Sequence, residues 1–242
     1  MTSRVAIITR TRNRLVLLRR AIQSVLNQTF TDWVHIIVND GGPSNELDQF
    51  LHEFAEAYQG RLKVIHHTQS MGMQPAANTG IRQSKSEFIT IHDDDDSWEP
   101  EFLSAAVQFL EEKGHTSKYQ GVISQSTLIE ESLSGSKKPQ ILSKKDYIPL
   151  PEISLYRLGF ENPFPPIAFL YRRSAYDTIG PYNPEFNVAG DYDFNFRFLL
   201  KFEIGVVHRS LANYHVRIKA NRREDLNSVS HQADEHKIRY NE

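Results

Sequence analysis

Apolar residues recur along the first half of the chain in two alternating rhythms. Val5–Thr9 is a short continuous run suited to a buried strand, and from Leu15 to Leu26 the residues Leu15, Leu18, Ile22 and Val25/Leu26 fall on one helical face. The pair then repeats. Trp33–Val38 predicts a strand, and Glu46–Tyr58 a helix with Leu47, Phe50, Leu51 and Phe54 inward. Leu62–His66 predicts a third strand, Gln74–Gln83 a helix and Phe88–Ile91 a fourth strand. Pro100 opens another helix carrying Phe102, Leu103, Ala106, Phe109 and Leu110, and proline suits a first helical turn. Strand–helix units of this length imply a mainly parallel sheet covered by helices, an α/β fold of Rossmann-like type.

Past Gly114 the rhythm changes. Gly121–Ile129 reads as one strand, and Glu130–Pro166 is polar and proline-containing, a long excursion of the same domain rather than a linker. Order returns at Ile167–Tyr171, with helices near Arg173–Ile179 and Asp191–Leu200 and short strands near Gly205–Val207 and Leu211–Tyr214. The chain thus divides into a Rossmann-like part, 1–114, a second part of the same domain, 115–219, and a polar tail, 220–242, expected at the surface or mobile.

Composition narrows the function classes. Lys plus Arg number 28 against 30 Asp plus Glu, a net charge of −2, so nothing pulls the whole molecule toward nucleic acid or anionic lipid. There is no cysteine, which excludes disulfides and thiolate metal sites. The run Val5–Ile8 is too short for a signal sequence, and no segment is apolar for long enough to span a bilayer. The expected location is the cytoplasm, with any membrane contact peripheral at the inner face.

The outstanding local feature is Asp93-Asp94-Asp95-Asp96, directly after a buried strand. Open α/β sheets bind ligands at the carboxyl ends of their strands. Four adjacent carboxylates repel and resist ionisation unless a cation is present. A hard divalent ion such as Mg²⁺ or Mn²⁺, bridging carboxylates to substrate phosphates, relieves that repulsion. The competing reading is a solvated acidic turn capping the next helix. A calcium loop fits worse, because the sixth position from Asp93 is Trp98 and the twelfth Ser104.

Two further segments supply candidates. Asn39-Asp40-Gly41-Gly42 ends the second strand, where the Asp40 carboxylate suits a base imide or ribose hydroxyl. Thr9–Arg14 brings cations to the same sheet edge. In Gly190-Asp191-Tyr192-Asp193-Phe194-Asn195-Phe196-Arg197, Asp193 and Arg197 are spaced to pair, and Asp191 stands at a helix start that stabilises an ionised carboxylate. Neither a Walker A sequence nor G-x-G-x-x-G is present, which argues against P-loop ATPases and dinucleotide oxidoreductases.

In order and spacing these pieces resemble the family-2 inverting glycosyltransferases of the GT-A fold. The likeness runs from Thr11-Arg12-Asn13-Arg14 and Ser24–Phe30 through Val38–Gly42, Ala77–Ile81, Phe88–Trp98 and Phe169–Ser174 to Gly190-Asp191-Tyr192. It implies a nucleotide-sugar-binding part in 1–114 and an acceptor-side region with the catalytic base in 115–219. Asp93-x-Asp95 corresponds to the D-x-D motif: Asp95 as main metal ligand, Asp93 on ribose or metal, Asp96 in support and Asp94 beside them on the nucleotide sugar. Asp40 would contact the base, Thr9 the nucleoside, and Asp191 would act as general base on the acceptor hydroxyl. The implied reaction transfers a sugar from a nucleoside-diphosphate donor, UDP favoured, to a glycan or lipid-linked glycan, with Mn²⁺ or Mg²⁺. Three positions depart from the family's usual pattern: Asn39 replaces a first aspartate, Ala77 an arginine, and Arg217 a histidine, with His215 nearby as a further candidate for metal or phosphate. The rival readings are a sugar-nucleotidyltransferase, whose glycine-rich loop after the first strand is missing, and a non-catalytic carbohydrate-binding module.

Overall fold

A computed structural model describes residues 3–133, 138–220 and 227. Most of the expected tail, and residues 134–137 of the excursion, lie outside the described residues. The first half follows the predicted alternation: β1 (Val5–Thr11), α1 (Leu15–Leu26), β2 (Trp33–Asp40), α2 (Ser44–His52), α3 (Ala55–Tyr58), β3 (Leu62–His67), α4 (Met73–Arg82) and β4 (Phe88–Ile91). The helix expected over Glu46–Tyr58 is broken at Glu53–Phe54 into α2 and α3.

The remaining elements are β5 (Ser97–Trp98), α5 (Phe102–Lys113), β6 (Tyr119–Ser132), β7 (Gln140–Asp146), α6 (Leu155–Leu158), β8 (Phe169–Arg172), α7 (Arg173–Ile179), α8 (Gly190–Leu199) and β9 (Glu203–Lys219). Among the described residues nine strands join one sheet in the order β3-β2-β1-β4-β8-β6-β9-β5, with β7 added to β6. β3, β2, β1 and β4 run parallel, β8 is antiparallel to β4 and β6, and β6 runs parallel to β9. Every residue of β4, and all but Arg10 of β1, is buried, as in a sheet covered on both faces. α4 lies tight on β1 and β2: a Cβ at Gly80 would fall 2.5 Å from Ile8 Cγ2.

The second half is more ordered than its polarity suggests. β6 runs three residues beyond Ile129, and the two short strands expected near Gly205 and Leu211 form one continuous β9. Their long parallel pairing, Tyr119–Ser132 against Glu203–Lys219, absorbs the start of the excursion. Beyond β7 the excursion packs inward through Leu150, Leu158 and Phe164, all buried. Proline and polar residues there interrupt the pattern that sequence reading relies on, while single apolar residues still anchor the segment.

Candidate active site

The β1–α1 turn and the β4–β5 turn meet at the carboxyl edge of the parallel strands. Asn13 adopts φ +58°, a left-handed conformation asparagine tolerates, and this turns the chain sharply from strand into α1. Across from it, the His92 N–H donates to the Ile8 carbonyl at 2.9 Å, carrying β1–β4 pairing one residue past β4. Trp98 packs edge-on against His92, with ring centres 4.2 Å apart, and its indole N–H donates to the Ile167 carbonyl at 2.7 Å. The Asp93–Asp96 turn is thereby fixed at both ends.

Guanidinium groups surround the four aspartates. Arg10, on β1, pairs with Asp93 Oδ1. Arg14, opening α1, grips both oxygens of Asp94 and reaches Asp95 Oδ2 at 3.3 Å. Arg217, from β9, donates to Asp95 Oδ2 and lies 3.3 Å from Glu131 Oε1. Arg20 binds Glu131 at 2.8 and 3.1 Å and the Asp95 carbonyl. The expectation that these carboxylates need an added cation to ionise is corrected for Asp95, to which arginines at the start of α1 and on β9 already supply positive charge. Burial alone would raise Asp95, but Arg217 and Arg14 hold its carboxyl below the ordinary range. Asp94, wholly buried, is pushed up to about 6 by burial despite Arg14. Asp96 is raised well above the ordinary range by burial and by Asp95 and Asp93.

His215 works inside this network. Its backbone N–H donates to Asp96 Oδ1 at 2.8 Å, and its ring bridges Glu131 Oε2 (3.2 Å) and Ser97 Oγ (3.0 Å). Both ring nitrogens are thus committed to protein partners. Asn227 accepts from the Arg217 N–H and donates to the His215 carbonyl, so this residue of the tail is buried against β9.

Asp191 lies in the first turn of α8, where Asn162 Nδ2 donates to its Oδ2 at 2.7 Å. The preceding Ala189 has φ +56°, an uncommon conformation for alanine that costs about 1–2 kcal/mol. A Cβ at Gly190 would fall 2.3 Å from Gln74 Nε2, so the Gln74 side chain packs directly against the backbone beneath Asp191. Burial raises the Asp191 carboxyl, and the Asn162 hydrogen bond leads the opposing effects. Arg10, paired with Asp93, also feels the charge of Asp191. Tyr147 and Tyr214, edge to face at 5.7 Å, are raised first by burial and then by nearby carboxylates including Asp191. Asp193 pairs with Arg197 at 2.8 Å, as its spacing predicts.

The two residues expected on the nucleoside, Thr9 and Asp40, have side-chain partners within the protein. Thr9 is fully buried, with its hydroxyl bonded to His35 Nε2 at 2.8 Å. Asp40 accepts from Ser70 Oγ, the Met71 and Gly72 N–H groups and the His67 ring, at 2.7 to 3.0 Å. Its carboxylate is spent on fixing the chain after β3, and Gly41 at φ +79° lets that chain pass, since a Cβ there would fall 2.3 Å from Ser70 N. A shallow groove opens beside them, lined by Thr11, Asn13, Asn39, Gly42 and Glu46 among others. Thr11, two residues nearer the sheet edge than Thr9, is the threonine that reaches it.

Among the described residues no group of three or more His, Asp and Glu side chains is arranged to enclose a metal ion. Asp93 and Asp95 nonetheless fit a phosphate-bridging ion, which needs only one or two protein carboxylates. Each engages its arginines through one oxygen, leaving Asp93 Oδ2 and Asp95 Oδ1 without a hydrogen bond among the described residues. Asp96 Oδ2 is buried and has no hydrogen-bond partner among the described residues.

A curled, mainly parallel sheet with an acidic turn at its carboxyl edge defines the GT-A class of fold. The chain belongs to glycosyl transferase family 2, whose sequence profile it matches over residues 6–180. It is 29% identical over 194 residues to the "PGL/p-HBAD biosynthesis glycosyltransferase" of Mycobacterium bovis, covering 79% of this chain and 68% of that one. Among solved structures it resembles S. aureus TarS 1-349 in complex with UDP-GlcNAc, with TM-score 0.64, 22% identity, 90% of this chain and 59% of that one. It also resembles the mannosyltransferase PcManGT from Pyrobaculum calidifontis in complex with GDP-Man and Mn²⁺, with TM-score 0.63, 15% identity, 88% of this chain and 57% of that one. The chain therefore spans less than two thirds of either structural neighbour.

Sequence reading missed Arg20, Glu131, Asn162 and Tyr147, and it left Arg217 unassigned. Only Arg217 carried a signal, as a departure from the family's usual residue. The others come from separate elements that meet only in the folded chain.

Proposed function

We propose that this chain is an inverting glycosyltransferase, moving a sugar from a nucleoside-diphosphate donor to a hydroxyl acceptor with Asp191 as general base. The observation that carries the reading is the placement of Asp191, a carboxylate in the first turn of α8 that is raised by burial and held by the Asn162 amide. In this reading the diphosphate lies at the β1–α1 edge, where Arg10 and Arg14 offer positive charge, and the base occupies the neighbouring groove along Thr11 and Asn39. Asp191 accepts the acceptor proton as the new bond forms at the anomeric carbon and the bond to the diphosphate breaks on the opposite face. One base suffices, and no covalent nucleophile is required. Mn²⁺ or Mg²⁺ held by Asp95 and Asp93 would offset charge on the leaving diphosphate. The Tyr147–Tyr214 pair offers an aromatic wall to a sugar acceptor.

The UDP-GlcNAc complex of one neighbour and the GDP-mannose and Mn²⁺ complex of another support a nucleotide-sugar donor and a metal. The mycobacterial relative is named for PGL/p-HBAD biosynthesis, and the proposed acceptor for this chain is a glycan or lipid-linked glycan. A thermal-shift screen of nucleotide sugars with and without Mn²⁺ identifies the donor, because bound ligand stabilises the fold by mass action. NMR of the product from that donor then tests the stereochemistry. Inversion at the anomeric carbon is expected, and retention would overturn the proposed displacement.

A further inference from the structure

Asn162 commits its side chain to a single partner. Its Nδ2 donates to Asp191 Oδ2 at 2.7 Å, while its own Oδ1 is buried and has no hydrogen-bond partner among the described residues. A buried acceptor without a donor is costly, so the amide is not oriented to satisfy its own loop. Turning it over would set its oxygen against the carboxylate. Asp191 therefore dictates the orientation.

The segment carrying Asn162 is built to stay in place. Ser154 Oγ caps α6 by accepting from the Arg157 N–H at 3.3 Å, and Leu158 is fully buried. The Tyr192 hydroxyl donates to the Leu158 carbonyl, so the residue next to Asp191 grips the same segment. Arg157 pairs with Glu161 at 3.2 Å, and Phe164 is buried just beyond Asn162. Two successive residues of α8 thus hold one stretch of the excursion, and the amide reaches the carboxylate from a braced position.

We propose that Asn162 positions the Asp191 carboxylate, fixing Oδ2 and leaving Oδ1 as the atom that takes the acceptor proton. The inference rests on the reading of Asp191 as general base and adds a residue through which that base is aimed. The same hydrogen bond stabilises the ionised carboxylate against burial, and the N–H groups of Asp191 and Tyr192 act in the same sense. The other groups that face Asp191 are Arg10, Tyr147, Tyr182 and Tyr214, with Asp193 further along its own helix. Of these only Arg10 is positively charged, and it already pairs with Asp93.

The test compares wild type with Asn162→Ala and Asn162→Ser, the serine retaining a shorter donor. The first readout is a ¹³C NMR titration of aspartate carboxyl groups, with the Asp191 signal assigned by its absence in Asp191→Asn. The second is the pH profile of kcat for hydrolysis of the screened nucleotide sugar. Asn162→Ala should move the Asp191 titration and the acidic limb upward by about one pH unit, the equivalent of a lost hydrogen bond to a charged group. It should lower kcat roughly 10- to 100-fold through misorientation, with donor KM unchanged. Asn162→Ser should fall between and serves if the alanine variant folds poorly. An unmoved titration and limb in either folded variant, whatever happens to kcat, overturns the positioning role. Near-wild-type turnover by Asp191→Asn instead breaks the base assignment, and the NMR titration still reports on the Asn162 contact.

Discussion

Arg217 donates to the carboxylate of Asp95 across the sheet edge, and its guanidinium is entirely shut off from solvent. The same group lies against Glu131, so one cation answers two carboxylates carried by different elements. Removing one partner of a buried pair leaves the others uncompensated, which typically costs about 3–5 kcal/mol. Arg217→Met should lower unfolding free energy by that order in urea titrations. A loss below about 1 kcal/mol, the ordinary value of an exposed pair, would show that the network bears no structural load.

That pairing bears on metal binding. Arg217 and Arg14 both contact Asp95 Oδ2, so an incoming cation meets a carboxylate whose charge is largely answered. Mn²⁺ alone should bind weakly, and UDP should strengthen it by adding phosphate oxygens, with the reciprocal effect of Mn²⁺ on UDP required by linkage. Calorimetry with and without EDTA measures both. Identical UDP affinity in the two conditions would sink the metal assignment.

How far the sequence led can be judged from single residues. The buried run before Asp93 and the i, i+4 spacing of Asp193 and Arg197 are local signals, and both elements form as read. Thr9 and Asp40 had suitable chemistry at a suitable sheet edge, yet packing decides whether a side chain is free. His35 takes Thr9, and the chain after β3 takes both oxygens of Asp40. Arg217 lies 122 residues from its partner Asp95. Sequence periodicity carries no information on such a contact, so the charge balance of the acidic turn became legible only in the fold.

Acid stability should carry the signature of His35. Burial, and secondarily His92, holds its ring well below the ordinary histidine range, and its nitrogens serve Thr9 and Tyr58. The folded state keeps His35 neutral, whereas the unfolded chain protonates it near pH 6.5. Its contribution is therefore complete above that pH and declines as pH falls below it. Wild type should lose about 1.4 kcal/mol per pH unit more than His35→Gln between pH 6 and 5. Parallel stability curves for the two proteins would show that His35 does not titrate this way.

The sharpest test separates two aspartates of one helix turn. Asp193 has its charge answered by Arg197, which also donates to the Ile179 and Pro181 carbonyls, so its task is to join α8 to the end of α7. Asp191 has a neutral amide as its hydrogen-bond partner, and burial raises its proton affinity, which suits a group that must take up a proton. Asp191→Asn keeps the side-chain size and removes the proton acceptor. Its turnover should fall about 10²- to 10⁴-fold, the usual contribution of a general base, while donor affinity stays near wild type. Asp193→Asn should instead lower the melting temperature and leave kcat within a fewfold. Single-turnover rates, donor titrations and thermal melts on both variants distinguish the roles. Full activity in Asp191→Asn, or its loss in a folded Asp193→Asn, would reverse the assignment.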